Sequence, residues 1–375
     1  MKNQFVIIPL ISFFLLVNSV QVSSQNTGIN KSEVHALLKK VADWQIKTPL
    51  KYATADWTNG ALFTGMAEWA GIAKEDTYYG WLKEAGEKVH WTYNQADKNP
   101  LRRYHADDYC IGQMYVELYR KYKQPEMIAP MKAYFDQIMG NPSTVDLKFV
   151  FTDSYWSTER WSWCDALFMG PTVWAKMANV TGNPKYLDFM QKEYKATTDY
   201  LYSKEDHLFF RDSRYFDTTE ANGARMFWGR GNGWVFAGLP VIIRELPKNY
   251  DQKAYFVNLY REMAAKILSL QDTSGYWHAS LLDPASYPNP EMSATGFFMF
   301  GLAWGINNGY LDRKTYLPAV IRGWNAMQKA VLPDGKVGWI QPIGENPRKV
   351  TFDMTEVYGV GAFLLAGTEI YKIKL

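Results

Sequence analysis

The chain has 375 residues, with a hydrophobic share of 47% and a charged share of 21%, which is enough apolar mass for a sizeable core and too little charge for a disordered chain. The formal net charge is +3, and no run of like charge exceeds a few residues, which excludes the basic footprint of a nucleic-acid or membrane-surface binder. The aromatic share of 16%, with 15 Trp and 25 Tyr, is high; most such rings pack between helices, and some line clefts.

Taken in chain order, the first 25 residues read as a bacterial-type signal peptide. Lys2 gives the positive start, residues 5–17 the apolar stretch, and residues 18–25 a small and polar cleavage region. The apolar run contains Pro9 and ends at Asn18, short of the ~20 residues that a membrane span needs. A secreted or periplasmic chain without a membrane anchor is therefore expected after cleavage. The remainder, residues 26–375, reads as a single domain and a monomer. Cys110 and Cys164 are its two cysteines; they either pair in an oxidising compartment or stay as buried thiols. Without a CxxC they do not form a four-ligand zinc site, and neither a metal nor a cofactor is expected.

An opening helix at 32–44 leads into a motif written six times: a glycine- and aromatic-rich start followed by an apolar helix. Its copies centre on Gly60, Asp108, Asp165, Gly233, Gly296 and Gly361, at intervals of 48, 57, 68, 63 and 65 residues. Each interval fits two helices of about 10–14 residues plus loops. Amphipathic stripes mark helices between the copies: Tyr186, Phe189, Met190, Tyr194, Thr197 and Leu201 on one, and Tyr255, Leu259, Met263, Ile267 and Leu270 on another. Residues 141–143 and 283–290 read as loops. Six helix pairs predict an all-α (α/α)6 barrel, a toroid whose six inner helix starts share one end and one pocket.

Four segments carry polar chemistry at those starts. His105-Ala106-Asp107-Asp108 sets two carboxylates at a helix start, where they serve either as caps or as active-site acids. In Trp163-Cys164-Asp165-Ala166-Leu167-Phe168-Met169 one acid sits among apolar side chains. Such surroundings raise a carboxyl pKa and suit it to proton donation near neutral pH. Trp228-Gly229-Arg230-Gly231-Asn232-Gly233-Trp234 offers a guanidinium fork for a carboxylate and two rings for a sugar face. No strand precedes it, so it is not a dinucleotide fingerprint. In His207-Leu208-Phe209-Phe210-Arg211-Asp212, His207 is either structural or a substrate contact.

In chain order the four segments, with His207 ahead of the Trp228 string, resemble glycoside hydrolase family 105, the unsaturated rhamnogalacturonyl hydrolases and their relatives, akin to the unsaturated glucuronyl hydrolases of family 88. The resemblance runs from about Trp57 to the C-terminus, and the Trp-Gly-Arg-Gly-Asn-Gly-Trp string is its most specific part. It implies an (α/α)6 barrel acting on lyase-generated oligosaccharides that end in a 4,5-unsaturated uronate. It also implies hydration of the C4=C5 bond rather than attack at the anomeric carbon. Asp165 matches the general acid/base that protonates C4 and activates the water adding at C5. Asp107 or Asp108, with Asp107 favoured, matches the second acid, which orients substrate or water. Arg230 matches a binder of the anionic sugar, with Trp228, Trp234 and His207 around it and with His105, Trp163 and Met169 beside the acids.

One departure leaves the leaving-group sugar open: residues 153–160 lack a His-Lys pair associated with rhamnogalacturonan-active relatives. Other readings are a polysaccharide lyase, which wants a Tyr or His base, and an epimerase, which wants two histidines from among His105, His207 and His278. A carbohydrate-binding protein without catalysis is the reading from another class.

Overall fold

A computed structural model describes residues 1, 28–94, 102–152 and 157–374. Apart from Met1, the expected signal peptide lies outside the described residues, as do residues 153–156 of the departing loop.

Among the described residues the chain forms thirteen α-helices. The first six are α1 (Lys31–Lys47), α2 (Trp57–Ala73), α3 (Asp76–Lys88), α4 (Gly112–Tyr122), α5 (Ala129–Gly140) and the short α6 (Ala166–Met169). There follow α7 (Pro171–Thr181), α8 (Lys185–Leu201), α9 (Gly229–Glu245), α10 (Lys253–Ser269), α11 (Met292–Asn307), α12 (Arg313–Gln328) and α13 (Val357–Lys372). A two-stranded antiparallel hairpin, β1 (Tyr202–Ser203) and β2 (Leu208–Phe209), joins α8 to the approach of α9.

The helices alternate between two layers. Helices α2, α4, α7, α9, α11 and α13 touch in sequence, and α13 packs back on α2, which closes the inner ring. Helices α1, α3, α5, α8, α10 and α12 form the outer layer. The sequence explains the assignment: α11 is buried from Met292 through Ile306, as a helix apolar on all sides must be. In contrast, α10 buries only the stripe of Phe256, Leu259, Tyr260, Met263, Ala264 and Ile267. The fold is the expected (α/α)6 toroid, and all six copies of the motif fall at or just before inner helices.

Two starts differ from a plain helix onset. Asp107 and Asp108 lie in a 3-10 turn, Ala106–Tyr109, ahead of α4. Asp165 caps the four-residue α6, which is separated from α7 at Gly170-Pro171 because proline has no N–H to continue the ladder.

The inner helices run in parallel: Gly233 of α9 lies against Ala294 and Phe297 of α11, Gly296 of α11 against Ala362 of α13, and Gly361 against Ala61 and Leu62 of α2. At the seam of the ring the contact is backbone to backbone. A Cβ at Gly361 lands on the Ala61 carbonyl, and one at Gly65 lands on the Gly361 carbonyl. Because a carbonyl in a helix cannot swing aside as a side chain does, Gly361→Ala is expected to cost about 1–3 kcal/mol. A urea unfolding midpoint that matches the parent's would refute this close-packed seam.

The opposite end of the barrel is closed by charge. Arg244 of α9 donates to Glu68 of α2, diametrically across the ring, at 2.6 Å. Arg120 of α4 donates to Glu245 of α9 at 2.5 Å, and the buried Lys176 of α7 donates to Glu117 of α4. Lys372 bonds Glu369 on α13, which also accepts from Asn307 of α11, so all six inner helices join this floor. The helix starts therefore form the open end.

Candidate active site

At the open end a cleft of about 280 Å³ lies between the approaches to α4, α6, α9 and α13. The turn before α4 contributes His105 and Asp107, and the approach to α6 contributes Trp163. The segment after β2 contributes Arg211 and Arg214, and the stretch before α13 contributes Glu345. Two of these approaches are joined directly: Cys164 N donates to Arg211 O at 2.8 Å, and Trp163 bridges Asp212 as in a strand pair. This stitch brings Arg211 beside Asp165.

Burial raises both candidate acids, against different opposing charges. Burial pushes Asp107 from its ordinary 3.8 up to about 8; Arg102 opposes this, and Asp108, Asp165 and Asp56 add to it. Asp165, 8% exposed, is also raised by burial, while Arg211 and then Arg230 hold it down. Its Oδ2 lies 3.6 Å from Arg211 Nε and accepts from Cys164 Sγ at 3.5 Å. The raised carboxyl expected from the apolar neighbours of Asp165 is present, but a guanidinium beside it limits the rise. His105 is held well below its ordinary range by burial and by Arg102 and Arg211, so it is neutral at pH 7. Its Nδ1 accepts from Asp107 N at 3.3 Å, and its ring lies 4.7 Å from that of Trp163.

Raising Asp107 has a thermodynamic consequence. Between its unfolded value near 4 and its folded value near 8, the folded state binds the extra proton, so stability is lost as pH rises through 8. Asp107→Asn is expected to gain thermal stability over the parent at pH 9 and to lose most of that advantage at pH 5. Melting curves at the two pH values test it, and an advantage independent of pH would contradict the assignment.

Behind the cleft, Asp212 has no exposed surface. Despite its burial, hydrogen bonds from Arg214 and the charge of Arg211 hold it below the usual carboxylate range. Arg211 Nη1 donates to it at 2.6 Å, and Arg214 Nε and Nη2 donate at 2.9 Å each. Both guanidinium groups stand over the Phe149 ring, at 5.0 and 4.3 Å.

Of the residues expected at the site, His105, Asp107 and Trp163 line the cleft and Asp165 lies beside Arg211, while the other six have different surroundings. Asp108 is turned onto Arg102, with 2.5 Å between Oδ1 and Nη2. Arg230 is buried between the Trp228 and Tyr358 rings and donates to the Gln341 and Pro342 carbonyls at 2.7 and 3.0 Å. Its fork ties α9 to the stretch before α13 and does not open on the cleft. Trp228 is 2% exposed and donates to Gln341; Trp234 is fully buried against Phe168 and Phe297. Neither ring offers a face to a sugar. Met169 is likewise core. His207 sits on the hairpin, 3.2 Å from Tyr202 Oη and 3.8 Å from Glu262 of the outer helix α10, away from the cleft. Asn232 in the same string bonds both the N–H and the carbonyl of Phe209, which pins β2. The glycine-rich string is thus mainly scaffold. Cys110 and Cys164 are both buried free thiols and do not pair.

Arg211, Arg214, Phe149 and Glu345 were not expected at the site. One signal for the arginines was available: two arginines flanking an acid in Arg211-Asp212-Ser213-Arg214, at the approach to an inner helix.

A closed ring of six helix pairs, with a cleft at the helix starts lined by Asp107 and an arginine pair and with Asp165 beside Arg211, fits a glycoside hydrolase of the α/α-toroid class. The chain belongs to glycosyl hydrolase family 88, whose family model matches residues 24–374, the family that its motifs placed beside family 105. It is 42% identical over 322 residues to an unsaturated 3S-rhamnoglycuronyl hydrolase of Alteromonas sp. (strain LOR), covering 84% of this chain and 77% of that one. It is 38% identical to a protein of the same description from Formosa agariphila, over the full length of both. A solved structure described as a polysaccharide lyase superposes with a TM-score of 0.82 at 31% identity, covering 91% of this chain and 97% of the other.

Proposed function

We propose that this glycoside hydrolase removes a terminal 4,5-unsaturated uronate from lyase-generated oligosaccharides by hydrating its C4=C5 bond. The observation that carries this reading is the 3.6 Å separation of Asp165 Oδ2 and Arg211 Nε. In the substrate, the carbon to be protonated and the carboxylate are separated only by C5. An acid that protonates C4 must therefore sit next to a cation that holds the carboxylate, and here it does.

The steps balance with one acid. Asp165 delivers its proton to C4, and the ring oxygen stabilises the cation that forms at C5. Water adds at C5 and returns a proton to Asp165. The hemiketal so formed opens and releases the neighbouring sugar. The enol ether favours protonation at C4, so the carboxylate pair of ordinary glycosidases at a fixed spacing is not required. Asp107, protonated at neutral pH, is placed to donate a hydrogen bond to a substrate hydroxyl or to the water. The names of the two relatives support a 3S-rhamnose as the neighbouring sugar. Residues 26–375 act in this reading as one monomeric domain, exported by the signal in residues 1–25.

The test is the ultraviolet absorbance of the unsaturated uronate in a lyase digest of a rhamnose- and uronate-containing polysaccharide. Decay with release of a keto-uronate is expected. The polysaccharide-lyase reading draws on the likeness to the structure so described and on the neutral His105, a possible base among cations. It predicts the opposite sign, a rise in the same absorbance on undigested polymer and no decay on the digest.

A further inference from the structure

The arginine pair of the cleft carries more charge than the acid behind it. Asp212 pairs with both guanidinium groups from behind; on the outer side Arg211 faces Asp165, and both arginines face Glu345. Its Oε2 accepts from Arg214 Nη2 at 2.7 Å and stands 3.7 Å from Arg211 Nη1. The same Arg211 faces Asp165 on its other side, so the seat that Glu345 occupies borders the proposed proton donor.

We infer that Glu345 is a placeholder. Its carboxylate holds the seat that an anionic group of the substrate takes, and it leaves Arg211 and Arg214 when that group arrives. This deepens the proposed hydrolase reading and rests on it. Three features favour exchange over a permanent pair. First, Glu345 is 40% exposed, whereas Asp212 is fully buried, so only the outer carboxylate can leave without stranding a charge. Second, the loop stays anchored without it, because buried Gln341 donates to Asn346 O at 2.9 Å and accepts from Arg348 N at 3.3 Å. Third, Arg214 is held by Asp212 and by the Phe149 ring, so its fork keeps its direction when Glu345 departs. The ligand chemistry is a carboxylate or a sulfate ester: the carboxyl of the uronate itself, or an ester on the sugar next to it.

Steady-state kinetics of Glu345→Gln test this with two unsaturated uronyl disaccharides, one with an uncharged second sugar and one carrying a single sulfate there. At low ionic strength the variant is expected to lower KM by about two- to fivefold, the scale of a half-exposed ion pair. Salt should shrink the difference, and Arg214→Gln should abolish it. A lower KM for both substrates assigns the displacing group to the uronate carboxylate; a lower KM for the sulfated one alone assigns it to the ester. An unchanged or higher KM for both overturns the placeholder. Calorimetric titration of D-glucuronate and of inorganic sulfate reads the same seat without turnover. If the parent hydrolyses neither disaccharide while E345Q binds either probe more tightly, the hydrolase reading falls and the placeholder stands. If the parent hydrolyses them and E345Q changes neither KM nor probe affinity, the reverse holds.

Discussion

Replacing Asp165 by asparagine is expected to lower kcat by about 10²- to 10⁴-fold, the usual worth of a positioned general acid/base. The amide keeps the shape of the side chain but cannot deliver a proton to C4. The carboxyl is buried and touches Arg211 and Cys164, so the loss has no ready substitute among its neighbours. Saccharide affinity should stay within the same order of magnitude, because Arg211, Arg214 and Trp163 remain. Single-turnover rates beside calorimetric binding separate the two quantities. Unchanged turnover would remove Asp165 from the chemistry; a matched loss of binding would make it a substrate contact instead.

Arg211→Gln is expected to raise KM by about 10- to 100-fold for a free uronate, since hydrogen bonds to charged groups contribute about 1.5–3 kcal/mol. The same change leaves Arg230 as the cation that restrains Asp165, so its carboxyl should rise further and the pH profile of kcat should shift upward. Arg211→Lys restores the charge but not the planar fork, and is expected to recover the pH profile better than KM. A merely structural arginine would not produce that split. Methyl-esterified uronate supplies the control, because the parent's advantage over Arg211→Gln should largely vanish with it. An equal KM penalty on the ester would place the carboxylate elsewhere.

The sequence and the structure agree where the signal is local and repetitive. The six starts mark the inner helices because burial on all sides demands apolar helices with small residues at their contacts. The stripe from Leu259 to Ile267 marks the buried face of an outer helix because period and burial are the same fact. Asp107 and Asp165 stand at the open end because polar residues at inner helix starts have one end of the barrel to share. Arg230, Trp228 and Trp234 pack into the scaffold for a physical reason. Glycines that admit a ligand also admit a neighbouring helix, and a guanidinium between two rings suits backbone carbonyls as well as a carboxylate. The Arg214–Glu345 contact spans 131 residues, and no local pattern announces a pair that distant. Arg211 and Arg214 acquire their meaning from buried Asp212, whose depth is a tertiary property.

The ion-pair floor, with Arg244 reaching Glu68 across the axis, makes the barrel a cul-de-sac. A polymer cannot thread through a room with one door. Whatever enters the cleft also leaves by the helix-start end, so spent sugar and fresh share one threshold.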